Sequence, residues 1–420
     1  MTGLSPDILT WAIAALAVGG VILRPFDLPE AIWAVTGAAL LVLFGLIAPA
    51  VALTGAAKGT DVYLFLTGMM LLAEIARHEG LFDWLAAQAT SHASGSPRRL
   101  FLLTYVVGIL VTTFLSNDAT AVVLTPAVAA AVKTAKAEEP LPYLLVCAFI
   151  ANAASFVLPI SNPANLVIYG SHMPALLQWL PRYLLPSLVA IVATYAALRF
   201  AQRRALRQSI AADVPLPHLS VGGITAAAGI AATAAALLVA SAMDIQLGLP
   251  TCIAGVVTAA IVLLQKPSQT WDVMKDISWS VLPLVAGLFV LVEALNQTGV
   301  IAMISAILRE AAVHSAVAAA WAAGLIVAIA SNLANNLPVG LVAGSAIQSD
   351  HTVDQITRAI LIGVDLGPNL SVTGSLATIL WLTALRREGH AVSATAFLRL
   401  GAIVMPPALV LALAASFLFG

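Results

Sequence analysis

Apolar runs long enough to cross a bilayer recur along nearly the whole chain, and several are interrupted by polar residues that a plain spanning helix would not tolerate. Runs at about 8–23, 31–49 and 61–77 read as spanning helices, since each crossing takes about 20 residues. The stretch 81–92 is amphipathic and too polar to cross, so it reads as a helix lying at the interface. From 97 to 134 the chain gives an apolar arm of about 15 residues, the break Ser116-Asn117-Asp118-Ala119-Thr120, and a second arm of similar length. Arg98 and Arg99 flank one end, Lys133 and Lys136 the other, so basic ends facing the cytoplasm put both on one side. This predicts a re-entrant helical hairpin with its tip in the bilayer interior, where open backbone is tolerated only beside protein or a water-filled cavity. Two short ordinary spans joined by a polar loop are the alternative, and would expose the break on the far surface.

An apolar helix over 141–158 then breaks at Pro159-Ile160-Ser161-Asn162-Pro163-Ala164-Asn165, the pattern of a discontinuous helix whose free backbone ends can bind solute. A long span at about 176–200 runs into Arg199, Arg203, Arg204 and Arg207, a cytoplasmic cluster, and 201–217 is a linker. The second half repeats the first. Gly68, Glu74 and Gly80 match Gly287, Glu293 and Gly299 with both six-residue intervals kept. Ser331-Asn332-Leu333-Ala334-Asn335-Asn336-Leu337-Pro338 falls where the first polar break stood, and Asp365 to Asn369 with Thr373-Gly374-Ser375 answers the Pro159 break. The organisation is therefore two repeats, 1–200 and 218–420, with hairpins at about 97–134 and 314–347 and broken helices at about 141–170 and 353–386. On the charge-based topology, the second hairpin enters from outside, as an inverted repeat requires.

Composition agrees with this pattern: of 420 residues 61% are hydrophobic and 9% charged, with a mean hydropathy of +0.99, outside the range of a soluble globular protein. The fold class is an all-α polytopic membrane protein of about ten transmembrane helices plus two hairpins. The first residues lack a basic n-region and small-residue cleavage site, so the first run is expected to be retained as a helix. With both termini outside, Arg24, Arg77, Arg98, Arg99, Lys133, Lys136, the Arg199 to Arg207 cluster, Lys266, Lys275, Arg386 and Arg387 fall on the cytoplasmic side. Lys58, Arg182, Arg309 and Arg358 are the main exceptions, an asymmetry that supports the assignment. A net charge of -1 points to no nucleic-acid partner. Cys147 and Cys252 form no CxxC pair, and the histidines show no metal-ligand spacing, so neither a metal site nor any other cofactor is expected.

Polar groups inside the apolar runs are few enough to weigh singly. Asp118 is a candidate proton carrier, because a carboxylate shielded from water can load and release a proton; the competing role is a helix N-cap. Asp365, beside a helix break, is a second proton-coupling candidate. Ser116 and Asn117 with Ser331 and Asn332 at the two tips, and Asn162, Asn165, Asn369, Thr373 and Ser375 at the two breaks, form the candidate substrate site. Such groups offer neutral donors and acceptors suited to a polyhydroxylated solute, or else satisfy local backbone. Glu74 and Glu293 read as struts, and Cys147 as a small core residue. No phosphate-binding loop, H-E-x-x-H or G-x-S-x-G is present, so the chain is read as a transporter and not as an enzyme. Neither hairpin nor break holds a basic residue, which makes a neutral solute or a cation the easier cargo.

The runs F-L-S-N-D-A-T-A-V-V-L-T-P-A-V at 114–128, I-S-N-P-A-N-L-V-I at 160–168 and D-L-G-P-N-L-S-V-T-G-S-L-A-T-I-L-W at 365–381 closely resemble the ArsB arsenite efflux permeases, and the likeness spans essentially the whole chain. The resemblance implies export of trivalent arsenic and antimony as uncharged hydroxides in exchange for protons. It also implies the ion transporter superfamily, with paired hairpins in inverted repeats, an elevator-like transport domain and a bacterial inner-membrane location. Some ArsB proteins work with a separate soluble ATPase, ArsA, which the resemblance brings in as a class of partner. A sodium/proton antiporter of the same superfamily is the runner-up, and a passive channel the alternative of another class.

Overall fold

The computed structural model describes residues 5–212, 214, 216–348 and 353–418; the other positions of the expected repeats and linker lie outside the described residues. All regular structure among the described residues is helical. Among the described residues eight helices are long and apolar enough to cross a membrane, or nine when Pro49–Ala57 and Thr60–His78, bent by 48°, are taken as one span. Glu30–Leu43 and Leu141–Ala153 are shorter apolar helices that the estimate of about ten counted as full spans. The first of these stops short of the expected 31–49 because the chain turns at Gly45 (φ 68) and Pro49 opens a separate helix. Helix starts follow the sequence closely. Ser5, Ser96, Ser220 and Ser393 each accept a hydrogen bond from the backbone N–H three residues on, satisfying one of the donors a helix start leaves open.

The first hairpin has the arm Pro97–Phe114, a break at Leu115 and Ser116, and a second arm through Asn117–Ala119, Thr120–Leu124 and Thr125–Thr134. Thr120–Leu124 is a wider π-helical turn just ahead of Pro126, whose missing N–H cannot serve an ordinary turn. The Thr112 and Thr120 hydroxyls, 2.8 Å apart, join the two arms below the tip. In the second half, Val300–Ala334 is kinked at Ser315 (φ -164, ψ 107), near the expected start of the second hairpin, and the chain turns at Asn335 before Asn336–Gln348.

That turn corrects the placement of the second tip. Ser331 and Asn332 stay helical, their side chains donating back to the Val327 and Ala328 carbonyls at 2.8 and 2.7 Å. Asn335 makes the reversal instead, at φ 66, and its Oδ1 accepts from the Leu337 N–H at 3.2 Å. Asn335-Asn336-Leu337 thus stands where Ser116-Asn117-Asp118 stands in the first half.

The first broken helix comprises Leu141–Ala153 and Pro163–Tyr169. Its first part ends at Ala153 and not at 158, because the loop beyond is held by Asn165, whose Nδ2 donates to the Ser155 and Pro159 carbonyls at 2.9 and 3.3 Å. The second comprises Asp354–Leu366, a turn Gly367–Leu370, and Leu376–Arg387.

The residues matched between the halves do matching work. A Cβ on Gly68 would lie 2.2 Å from the Thr251 carbonyl oxygen, and one on Gly287 2.7 Å from the Ala34 carbonyl carbon, so each lets two helices meet backbone to backbone. Gly80 (φ 75) and Gly299 (φ 80) each take the left-handed conformation ahead of the next helix. Charges gather at opposite ends of the bundle: Arg77 pairs with Asp276 and Lys266 with Glu79 at one, Lys58 with Glu293 at the other.

Candidate functional site

Four helices begin at one place. Asn117, Pro163, Asn336 and Leu376 open them, and the residue before each is a Ser or Asn whose side chain accepts from its own helix: Ser116 from Ala119 N (3.1 Å), Asn162 from Ala164 N (3.0 Å), Asn335 from Leu337 N (3.2 Å) and Ser375 from Thr378 N (3.1 Å). The first turns of all four border a single small cavity, flanked on the other side by Leu66, Val281 and Val285. Both hairpin tips and both helix breaks therefore meet at the same point, against Thr60–His78 and Val281–Gln297.

Asp118 borders this cavity and also a larger cleft of about 660 Å³, which Ser116, Met69, Met70, Glu74 and Asp276 line as well. The cap of its helix is Ser116, so Asp118 is free of that task. No described residue donates to its carboxylate, and no lysine or arginine lines either space. On the opposite side of the same seam lies a cavity of about 1470 Å³ bordered by Lys58, Asp61, Glu293, Leu166 and Gln348.

Of the residues singled out in the sequence, Asn117, Asp118 and Asn162 reach the central cavity and Ser116 the cleft beside it. The others hold the breaks in shape. Asn332 donates to the Gly367 carbonyl (2.9 Å) and accepts from Ser371 Oγ (2.7 Å), while Thr373 donates to the Asn332 carbonyl (3.0 Å). Ser331 and Asn165 are buried and bonded within their own segments. Asn369 accepts from Asn152 (3.0 Å) and donates to the Phe149 carbonyl (3.0 Å), and Ser375 donates to Asn152 Oδ1 (3.1 Å). Asp365 is wholly buried; its Oδ1 accepts from Asn162 Nδ2 at 2.7 Å and its Oδ2 has no partner. Its place is a joint between the two breaks, off the cavities described.

Sequence reading missed three groups. Asn335 and Asn336 were in view but the roles went to the Ser331-Asn332 pair four residues earlier. Asn152, one amide in an apolar helix, ties the first broken helix to Asn369, Ser375 and Thr378 of the second. Glu74, His78 and Asp276 have ligand atoms within 4.8 Å of one another, with the Arg77 guanidinium bonded to both carboxylates. Cys147 is buried and lines none of these spaces.

The family described as Citrate transporter (CitMHS) matches residues 12–363. The arsenical pump membrane protein of Yersinia enterocolitica is 28% identical over 360 residues, 83% of each chain. That of Escherichia coli strain K12 is 27% identical over 424 aligned positions, covering 97% of this chain and 98% of that one. In three dimensions the chain is similar to the YdaH transporter of Alcanivorax borkumensis, with a TM-score of 0.57 at 14% identity over 99% of this chain and 98% of that one, a likeness of fold.

Proposed function

The chain belongs to the citrate transporter (CitMHS) family of membrane transporters, and from that premise we propose that it exports trivalent arsenic and antimony hydroxides, As(OH)3 and Sb(OH)3, in exchange for protons. The observation that carries this reading is the central cavity itself. Neutral amides from both tips, Asn117 and Asn336, face it together with one carboxylate, Asp118, and no cation. An uncharged trihydroxide can both donate to and accept from amides, and its passage leaves no charge for the protein to neutralise. The relatives named arsenical pump membrane proteins support the same cargo.

In this cycle Asp118 holds a proton when the site is empty on one face and gives it up on the other. The hairpins and broken helices move as one body along the seam formed by Thr60–His78 and Val281–Gln297, with the two flanking cavities as alternate openings. The protein is a multi-pass membrane protein. We place it in the bacterial inner membrane with both termini outside, and no step here needs an ArsA-type ATPase.

One observation favours a second reading: four helix N-termini converge on the cavity, and each favours negative charge. A carboxylate anion such as citrate is then the cargo. Everted vesicles with an imposed pH gradient separate the cases. Gradient-driven accumulation of arsenite supports the proposal; accumulation of citrate or of sodium without arsenite overturns it, and arsenite flux indifferent to the gradient makes the protein a channel.

A further inference from the structure

We infer that Glu74, Arg77, His78 and Asp276 form a proton port connecting Asp118 to solvent through the cleft that Glu74 and Asp276 line with it. The inference rests on the proton-exchange reading above, since without it the port has nothing to carry. Glu74 and Asp276 line the same cleft as Asp118. His78 Nε2 lies 3.2 Å from Glu74 Oε1, 3.3 Å from Asp276 Oδ2 and 3.2 Å from the Arg77 guanidinium, so all three groups of the cluster meet at this nitrogen. The side chains step inward, with Asp276 49%, His78 21% and Glu74 10% exposed, so the imidazole bridges a wet carboxylate to a nearly dry one.

The charges leave room for one proton. Arg77 donates to both carboxylates and cancels one of their two negative charges, and a proton on the imidazole cancels the other. The groups facing the cluster do not fill that role: Asp83 of Leu81–Ala93 adds a further negative charge near Arg77, Lys266 is bonded to Glu79, and Lys275 lies over the Trp271 ring. A bound metal is disfavoured, because the Arg77 guanidinium already bonds both carboxylates. In each turnover one proton leaves the Asp118 carboxyl through water in the cleft, arrives on Glu74, passes to His78 and Asp276, and ends on a solvent base, so the relay returns to its starting charge.

The opposite cavity offers a built-in contrast. Glu293, at the position matching Glu74, lines it and is paired with Lys58 at 2.6 Å, and no described histidine borders that space. Among the described residues the cluster is therefore found on one side only.

The test is gradient-driven arsenite accumulation in everted vesicles, which turn the face assigned to Arg77 by the charge pattern toward the bath. With dilute impermeant buffer, His78→Gln slows accumulation about tenfold or more, as loss of a positioned proton-transfer group does. Concentrated buffer in the bath restores it, and the same buffer in the lumen does not. Glu74→Gln behaves in the same way, and both variants elute from size exclusion as the wild type does. A His78→Gln rate equal to wild type in dilute buffer, or a loss that bath buffer leaves unchanged, overturns the port and leaves a structural strut. A wild type without gradient-driven arsenite flux overturns the transport reading and the port with it.

Discussion

Asn162 Nδ2 donates to Asp365 Oδ1 at 2.7 Å, joining two buried residues 203 positions apart, while the other end of the same amide caps the helix at Ala164. One side chain thus satisfies the acid of the second break and the backbone of the first. Asn162→Ala removes both bonds and leaves a buried carboxylate without its donor, which is expected to cost about 3 kcal/mol or more. Asp365→Asn keeps an acceptor for Asn162. It should unfold within about 1 kcal/mol of wild type, the size of one ordinary hydrogen bond, and keep gradient-driven flux. Thermal unfolding in detergent and vesicle flux check the pair, and loss of drive in Asp365→Asn would make Asp365 an exchange site after all.

Asn335 combines a left-handed backbone with a cap on Leu337. Asn335→Gly retains the backbone freedom and should be mild. Asn335→Val loses the cap and strains the turn, an expected cost of about 1–3 kcal/mol. If the two unfold alike, the second tip does not turn where the structure puts it.

The matched glycines should fail in different ways. Gly68→Ala drives a methyl against the Thr251 backbone at 2.2 Å, where no side chain can yield, and should lower thermal stability sharply. Gly80→Ala has open space and meets only the penalty of its positive φ, about 1 kcal/mol. Equal losses would mean that helix contact at Gly68 is looser than described.

How much of this was legible in the chain depends on which residues break an apolar run. Asp118, Asn162 and Pro163 do so openly, because polar groups and prolines in such runs need protein around them, and all three line the central cavity. The second tip was misplaced by four residues because Ser331-Asn332 repeats the letters of Ser116-Asn117, while the conformation of Asn335 leaves no mark in hydropathy. Asn152 was passed over since one amide in an apolar helix gives no clue that its partners lie 217 and 226 positions away. The Glu74, His78 and Asp276 cluster was hidden for the same reason: its third member comes from the other half of the chain. Asp118 was weighed against a capping role, and Ser116 takes that role in the structure.

Proton coupling therefore turns on the carboxylate of Asp118, to which no described residue donates. Asp118→Asn keeps the size and polarity of the side chain but cannot exchange a proton, so its effect on coupling is separable from its effect on folding. The direct measurement is arsenite movement by this variant in everted vesicles, with and without the pH gradient. Gradient-driven accumulation is expected to disappear while downhill arsenite exchange continues; accumulation at the wild-type rate would show that Asp118 does not couple arsenite to protons.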